Sequence, residues 1–495
     1  MTRTEKRYFL SNNQVGKDPS KEPNFIKLYH ELKDIDPKEY NEEAFRDKIK
    51  SKVKGNFSQH KKTLTEKILK SMRDYANKDT YSLKIREYIQ DFKFLYDREL
   101  MQEAYSRLNE AKKLATELGD TLSLLEICKQ ERIFIWANSK NFAKELEILN
   151  QTENELVKQV EEEVNYRNES YKLFTFFKQG KYIGDSGKDQ LKADFEEILL
   201  IKPATDSPIA KRRYLQFQFA YYKMLEDNQK MLIPVEALVK WWKEYPRYKE
   251  EDYFRYLSDY NLLITSYQII PDYDRVKIAL DKFSKEKPTK PKELGAHFKW
   301  LYNNLILYYL NTGQVTDFSK LEEEISFGLE EHIINAASVY TLNNNLAIYA
   351  FTCGYYEKCI HWCDKNIKRI KAHDPMERSY SVTLLLRFMA LIEGDSENFD
   401  KECTRTKNLL IKINRFEQEH FEHIFFNDLI KWYKAVPSAQ KEILKEIENY
   451  AENSYRDRTS RIYGDLDEFI RNWAISKLTS HPILKIYEDK KGVLQ

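Results

Sequence analysis

The feature that most constrains this chain is a period. An amphipathic pattern stops and restarts in the stretches "LYDREL" near Glu99, "ANSKNF" near Lys140, "FKQGKY" at Gly180 and "LEDNQK" near Asp227. It does so again in "IIPDYD" at Pro271, "NTGQVT" at Gly313, "TCGYYE" at Gly354, "EGDSEN" at Gly394 and "AVPSAQ" at Pro437. The spacings are 41, 40, 47, 44, 42, 41, 40 and 43 residues. Between breaks, Leu, Phe and Tyr recur three and four residues apart among Lys and Glu, the signature of a helix with one buried face. Each unit therefore reads helix, tight turn, helix, longer turn. One such pair cannot bury its own apolar face, whereas stacked pairs can. The expectation is an all-α chain: a helical N-terminal region over 1–80, about nine helical hairpins over 81–450, and capping helices over 451–495.

Composition supports helices and narrows the classes of function. Gly and Pro number 13 each in 495 residues, too few for the turns of a β-rich fold. Lys and Arg total 81 against 79 for Asp and Glu, so no global field favours a polyanion. Apolar residues make up 42%, with 34 Tyr and 27 Phe, enough to bury a long core. No run of apolar residues is long enough to span a bilayer, and "MTRTEKRYFLSNNQ" lacks the apolar stretch of a secretory leader. Five cysteines at low density suit reduced thiols in a cytoplasm better than a disulfide framework.

Three of those cysteines stand together in "FTCGYYEKCIHWCDK". Cys353, Cys359, His361 and Cys363 read as zinc ligands or as a helical hairpin built with small apolar residues. The hairpin is preferred. Cys359 and Cys363 are one helical turn apart and share a face, while His361 points about 200° away from them. Three sulfurs without a fourth ligand make a poor structural zinc site. "EHFEHIFF" places His420 and His423 three apart beside Glu419 and Glu422, which is not the H-E-x-x-H zinc motif. No G-x-x-x-x-G-K-[ST] loop and no G-x-S-x-G elbow occurs. No catalytic residue, metal or cofactor is expected. Residues 48–73 carry nine Lys and Arg against one Glu, net +8. This is a solvated helical face or a contact for an acidic polymer.

The units resemble tetratricopeptide repeats. "LAIYAFTCGYYEKCIHWCDKNI" sets Leu346, Ala347 and Ala350 on a first helix and Gly354, Tyr356 and Cys359 around its turn. "LYDRELMQEAYSRLNEAKKLA" sets Ala104, Leu108 and Ala111 at small–large–small positions of a second helix, and "LYNNLILYYLNTGQ" supplies Leu305, Tyr309 and Gly313. The resemblance implies a right-handed α-solenoid with a concave groove lined by the first helix of each pair. The opening, "KLYHEL…KEYNEEAFRDKI…KILKSMRDY", is similar to that of uncharacterised helical-repeat proteins of Bacteroidota. Phe469, Trp473, Ile475 and Leu478 of "DLDEFIRNWAISKLTSHPIL" are expected to close the open end of the stack.

One polar pattern stands out. Asn261, Asn303 and Asn344 each lie ten residues before a turn in three successive units, and Asn304 and Asn345 follow two of them. Asparagine is a mediocre helix former, so its recurrence at one register requires a reason. Either these amides tie neighbouring repeats, or they hold the backbone of an extended peptide, as in the resembling grooves of peptide-sensing repeat proteins. The leading expectation is a non-enzymatic cytoplasmic scaffold or adaptor that binds a protein or peptide segment through Asn261, Asn303, Asn304, Asn344 and Asn345. The alternative is a nucleic-acid-linked regulator acting through residues 48–73, with an enzyme third.

Overall fold

The computed structural model describes residues 3–13, 22–33, 35, 40–53, 55–76, 80–179, 184–368, 377–394, 398–413, 416, 421–456 and 466–493. Twenty-four helices account for the secondary structure of these residues, with no strand among them. None of the helices is long and apolar enough to cross a membrane. Of the sequence breaks, Glu99, Lys140, Asp227, Pro271, Gly313, Gly354 and Gly394 fall between consecutive helices, Pro437 is the first residue of a helix, and Gly180 lies outside the described residues. The chain forms two compact units, residues 1–157 and 158–495, and this division falls elsewhere than at residue 80.

In the first unit, α1 (Arg3–Asn12), α2 (Asn24–Leu32), α3 (Glu42–Ile49) and α4 (Phe57–Ala76) enclose Phe9, Ile26, Leu28, Phe45 and Leu64. A second core lies among α5 (Tyr81–Tyr96), α6 (Met101–Leu118) and α7 (Thr121–Asn138). There Ala104, Leu108 and Ala111 are fully buried, so the small–large–small register does face inward. Cys128, Leu149 and Leu156 join α7 to the start of α8 (Phe142–Lys178).

Helix α8 departs from the expected hairpins. It runs for 37 residues where the period calls for a second helix, a turn and a new first helix. Its sequence contains neither Gly nor Pro, so nothing stops the helix.

Regular pairing belongs to the second unit. After α9 (Gly184–Leu200) come α10 (Pro208–Leu225) with α11 (Asn228–Glu244), the short α12 (Pro246–Glu251), and α13 (Tyr253–Ile269) with α14 (Tyr273–Ser284). The pairs continue as α15 (Pro291–Thr312) with α16 (Phe318–Glu331), α17 (Ala336–Thr352) with α18 (Tyr356–Ile367), α19 (Glu377–Glu393) with α20 (Phe399–Lys412), and α21 (Phe421–Lys434) with α22 (Pro437–Arg456). From α13 to α21 each first helix packs on the first helix of the next pair. Tight turns are set locally. Asp227, Asp272 and Asp317 each accept a backbone N–H at the start of a second helix. Gly313 ends α15 at φ +64°, a conformation that costs side-chain-bearing residues.

Helices α23 (Leu466–Thr479) and α24 (Ile483–Val493) do more than close the last pair. Helix α23 pairs with α22 and also reaches the C-terminal ends of earlier first helices: Phe469 meets Phe351 of α17 at 5.3 Å, and Trp473 meets Trp432 of α21 at 5.2 Å. Trp473 Nε1 and Lys477 Nζ both donate to Glu393 at the end of α19. Helix α24 then packs on α15, where a Cβ on Gly313 would stand 2.7 Å from the Leu484 carbonyl oxygen. This also explains α19, apolar nearly all round in "SVTLLLRFMALI": it is enclosed by its neighbours on every side, and residues 383–390 are all buried.

Candidate binding face

The sequence-derived asparagines lie on one side of the row of first helices and reach one another across it. Asn304 Nδ2 donates to Asn261 Oδ1 at 2.7 Å, joining α13 and α15. Asn345 Nδ2 donates to Asn303 Oδ1 at 3.1 Å, joining α15 and α17. Thr383 Oγ1 donates to Asn344 Oδ1 at 3.0 Å, joining α17 and α19. The amides that weaken helix propensity are repaid by these cross-helix bonds.

They are not equivalent. Asn304 is buried and fully engaged: it also donates to the Trp300 carbonyl and accepts from Gln268 Nε2. It is a tie between repeats and presents nothing to a ligand. Asn261, Asn303 and Asn344 are half-buried, and in each the oxygen is used inward. Their Nδ2 groups have no protein partner among the described residues. The row thus presents three N–H donors on three successive first helices. Gln216 of α10 extends it, standing eleven residues before the aspartate that caps the next helix, as Asn261 does. Gln216 donates to Asp259 Oδ1 at 3.1 Å. That homology of position is legible in the sequence once the capping aspartates are used as register marks.

Asp259 is the centre of a buried polar cluster that the sequence did not reveal. Its Oδ2 accepts from Arg212 Nη2 at 2.7 Å, Arg212 Nε at 3.2 Å and Trp242 Nε1 at 2.8 Å. The guanidinium also lies 4.9 Å from the Trp242 ring centre and 5.8 Å from that of Trp241. Both carboxylate oxygens are answered, so the cluster is a clamp between α10, α11 and α13.

A second cluster has the composition of an acid–base site and the same closed character. Tyr253, Tyr256 and Lys249 all donate to Glu286, and the ammonium stands 3.7 Å from the Tyr256 ring centre. Burial works against the Glu286 carboxylate, but the two phenols and the ammonium bring it below its ordinary value. Burial, reinforced by those hydrogen bonds, pushes both phenols well up. The protons are held where they are, which suits a strut better than a proton-transfer site.

The cysteine stretch is a hairpin. Cys359 and Cys363 are fully buried on the inward side of α18, beside Trp362, while His361 is exposed. Among the described residues no group of three or more His, Cys, Asp and Glu has the geometry to hold a metal. Burial pushes the Cys353 and Cys128 thiols up to about 11 and holds the Cys359 thiol well above its ordinary value. We expect thiol reagents at neutral pH to modify the native protein slowly, and all five cysteines promptly after denaturation. A rapid stoichiometric reaction of Cys359 in the native protein would contradict this packing.

His420 and Glu419 lie outside the described residues, whereas His423 is bonded to Asn427. In the basic segment, Lys52 pairs with Glu31 and Lys61 with Glu42, acids contributed from outside residues 48–73. These pairs reduce the charge open to a polymer.

Compared with protein families, with curated proteins and with solved structures, the chain matches none.

Proposed function

We propose that the second unit is a right-handed, tetratricopeptide-like solenoid whose groove binds a peptide or protein segment, and that the protein is a non-enzymatic cytoplasmic scaffold or adaptor. One observation carries this reading. Asn261, Asn303 and Asn344 turn their oxygens to the neighbouring helix and keep their N–H donors for something else. A tie alone needs only half of each amide. Serine, a smaller residue, would supply the acceptor without the second, outward function. Three donors on helices packed roughly 10 Å apart match every third carbonyl of an extended chain in the polyproline II conformation, with three residues per turn and about 3.1 Å rise per residue.

Asparagine-to-aspartate substitution separates the two roles. Aspartate keeps the inward oxygen and removes the outward donor. The triple variant N261D/N303D/N344D should keep its melting temperature within a few degrees. Peptides selected from a random display library on the full-length native protein should lose about tenfold or more in affinity for it. If the library yields no peptides, or if selected peptides bind the triple variant unchanged, these asparagines are ties alone and the groove reading fails.

A further inference from the structure

In the second unit many cations have found a carboxylate. Lys249, Arg275, Lys358, Arg387 and Lys477 are all paired. Four cations of α10 and α15 are not. Arg213 and Lys223 of α10, and Lys292 and Lys299 of α15, have no ion pair among the described residues. The nearest contacts of three of them are uncharged: Lys299 Nζ donates to Ser338 Oγ at 3.2 Å, Lys292 lies 4.0 Å from the Phe254 ring centre, and Lys223 lies 5.8 Å from that of Phe219.

These cations stand on the side of the row that carries the amides. Arg213 is one helical turn before Gln216, and Lys223 is two turns after it. Lys299 and Trp300 are one turn before Asn303. Between the two cationic helices, Phe254 of α13 meets Trp300 of α15 at 5.6 Å. Arg213 and Lys299 are half-buried and Lys223 is exposed, and desolvation by the protein around it pulls the Lys223 ammonium below the ordinary value. Desolvation does the same to Lys299, and to Arg213 with help from Arg255, Arg167 and Arg212. Half-buried cations without counter-charge are costly unless a ligand supplies the charge.

We propose that the face of α10, α13 and α15 binds an acidic, extended peptide segment, with carboxylates facing Arg213, Lys223 and Lys299, and an apolar side chain against Phe254 and Trp300. This rests on the groove reading above and specifies its ligand. The three helices span about 20 Å, which roughly six residues of extended chain cover. A peptide suits the face better than a nucleic acid. The cations are few and set apart on two helices, and the Phe254 and Trp300 rings are half-buried against each other with ammoniums nearby, leaving no ladder on which bases stack.

The test uses the full-length protein and three fluorescein-labelled probes: a peptide of about ten residues repeating Glu-Glu-Leu-Leu, so that both kinds of side chain reach one face when extended, its Lys–Leu counterpart, and an oligothymidylate of similar charge. The acidic peptide should bind, weaken as salt is raised, and be followed by anisotropy. R213E/K299E should weaken it about tenfold or more, and the neutral R213Q/K299Q by a smaller factor, both with native melting temperatures. Removing Arg213 relieves repulsion from three neighbouring arginines, so the fold should tolerate the change. The proposal is overturned if the Lys–Leu peptide binds equally well, or if neither variant alters binding of the acidic one. It is also overturned if oligothymidylate binds as tightly and loses affinity in the same variants, which would assign the face to nucleic acid. Should library peptides depend on the asparagines but carry no acidic bias, the groove reading stands and this inference alone falls.

Discussion

Asp259→Ala should destabilise the second unit by about 3–5 kcal/mol, the usual cost of stranding a buried charge. The Arg212 side chain is 7% exposed and that of Asp259 is 1%. Removing the carboxylate leaves a guanidinium between two indoles with no counter-charge, and strips the acceptor from Trp242 Nε1 and Gln216 as well. Denaturant titration followed by tryptophan emission measures the loss, since Trp241 and Trp242 are in the cluster. The stranded charge, more than the lost bonds, should dominate. Arg212→Met combined with Asp259→Leu should therefore recover much of the stability that the single change removes. A single-variant cost below about 1 kcal/mol would show that water reaches the guanidinium, and would refute the clamp.

Trp473→Ala should cost a similar amount, about 3–5 kcal/mol, for a different reason. Trp473 is 1% exposed and fills the space between α21, α22 and the end of α19. Its ring meets Trp432 at 5.2 Å and Phe425 at 6.4 Å, and its Nε1 donates to Glu393 at 2.7 Å. Truncation opens a cavity and takes one of the two donors from a nearly buried carboxylate. Trp473→Phe keeps much of the ring and loses only the donor, so it should cost clearly less. If both variants are equally mild in thermal denaturation, α23 is only loosely attached to the row.

The period along the sequence located the turns because local chemistry sets them: an aspartate cap or a left-handed glycine works wherever it stands. The interruption at α8 was not legible as a period, although the cause was present in the letters, a 37-residue stretch without Gly or Pro. The asparagine register was visible, and so were the two uses of an amide. Which half each residue uses depends on partners such as Gln268 and Thr383, and those come from neighbouring helices. Arg212 and Asp259 were hidden in the same way. In a chain with this many charges no single pair stands out, and only the fold shows which two are enclosed together. The unpaired cations were equally out of reach, because having no partner is a property of three-dimensional neighbourhood.

The docking of α24 on α15 changes the thermodynamic character of the unit. A row in which each pair touches only its neighbours has energetics like those of a linear chain of coupled spins, and it frays from its ends. Here the terminal helices return to an interior position, at Gly313, and hold the ends of α17, α19 and α21 on the way. An end that is fastened to the middle cannot open alone. Amide exchange across α15–α23 should therefore report one shared opening free energy in place of a gradient falling toward α22. The contacts responsible link distant parts of the sequence, so this cooperativity comes with slower folding than a purely local stack of the same length would show.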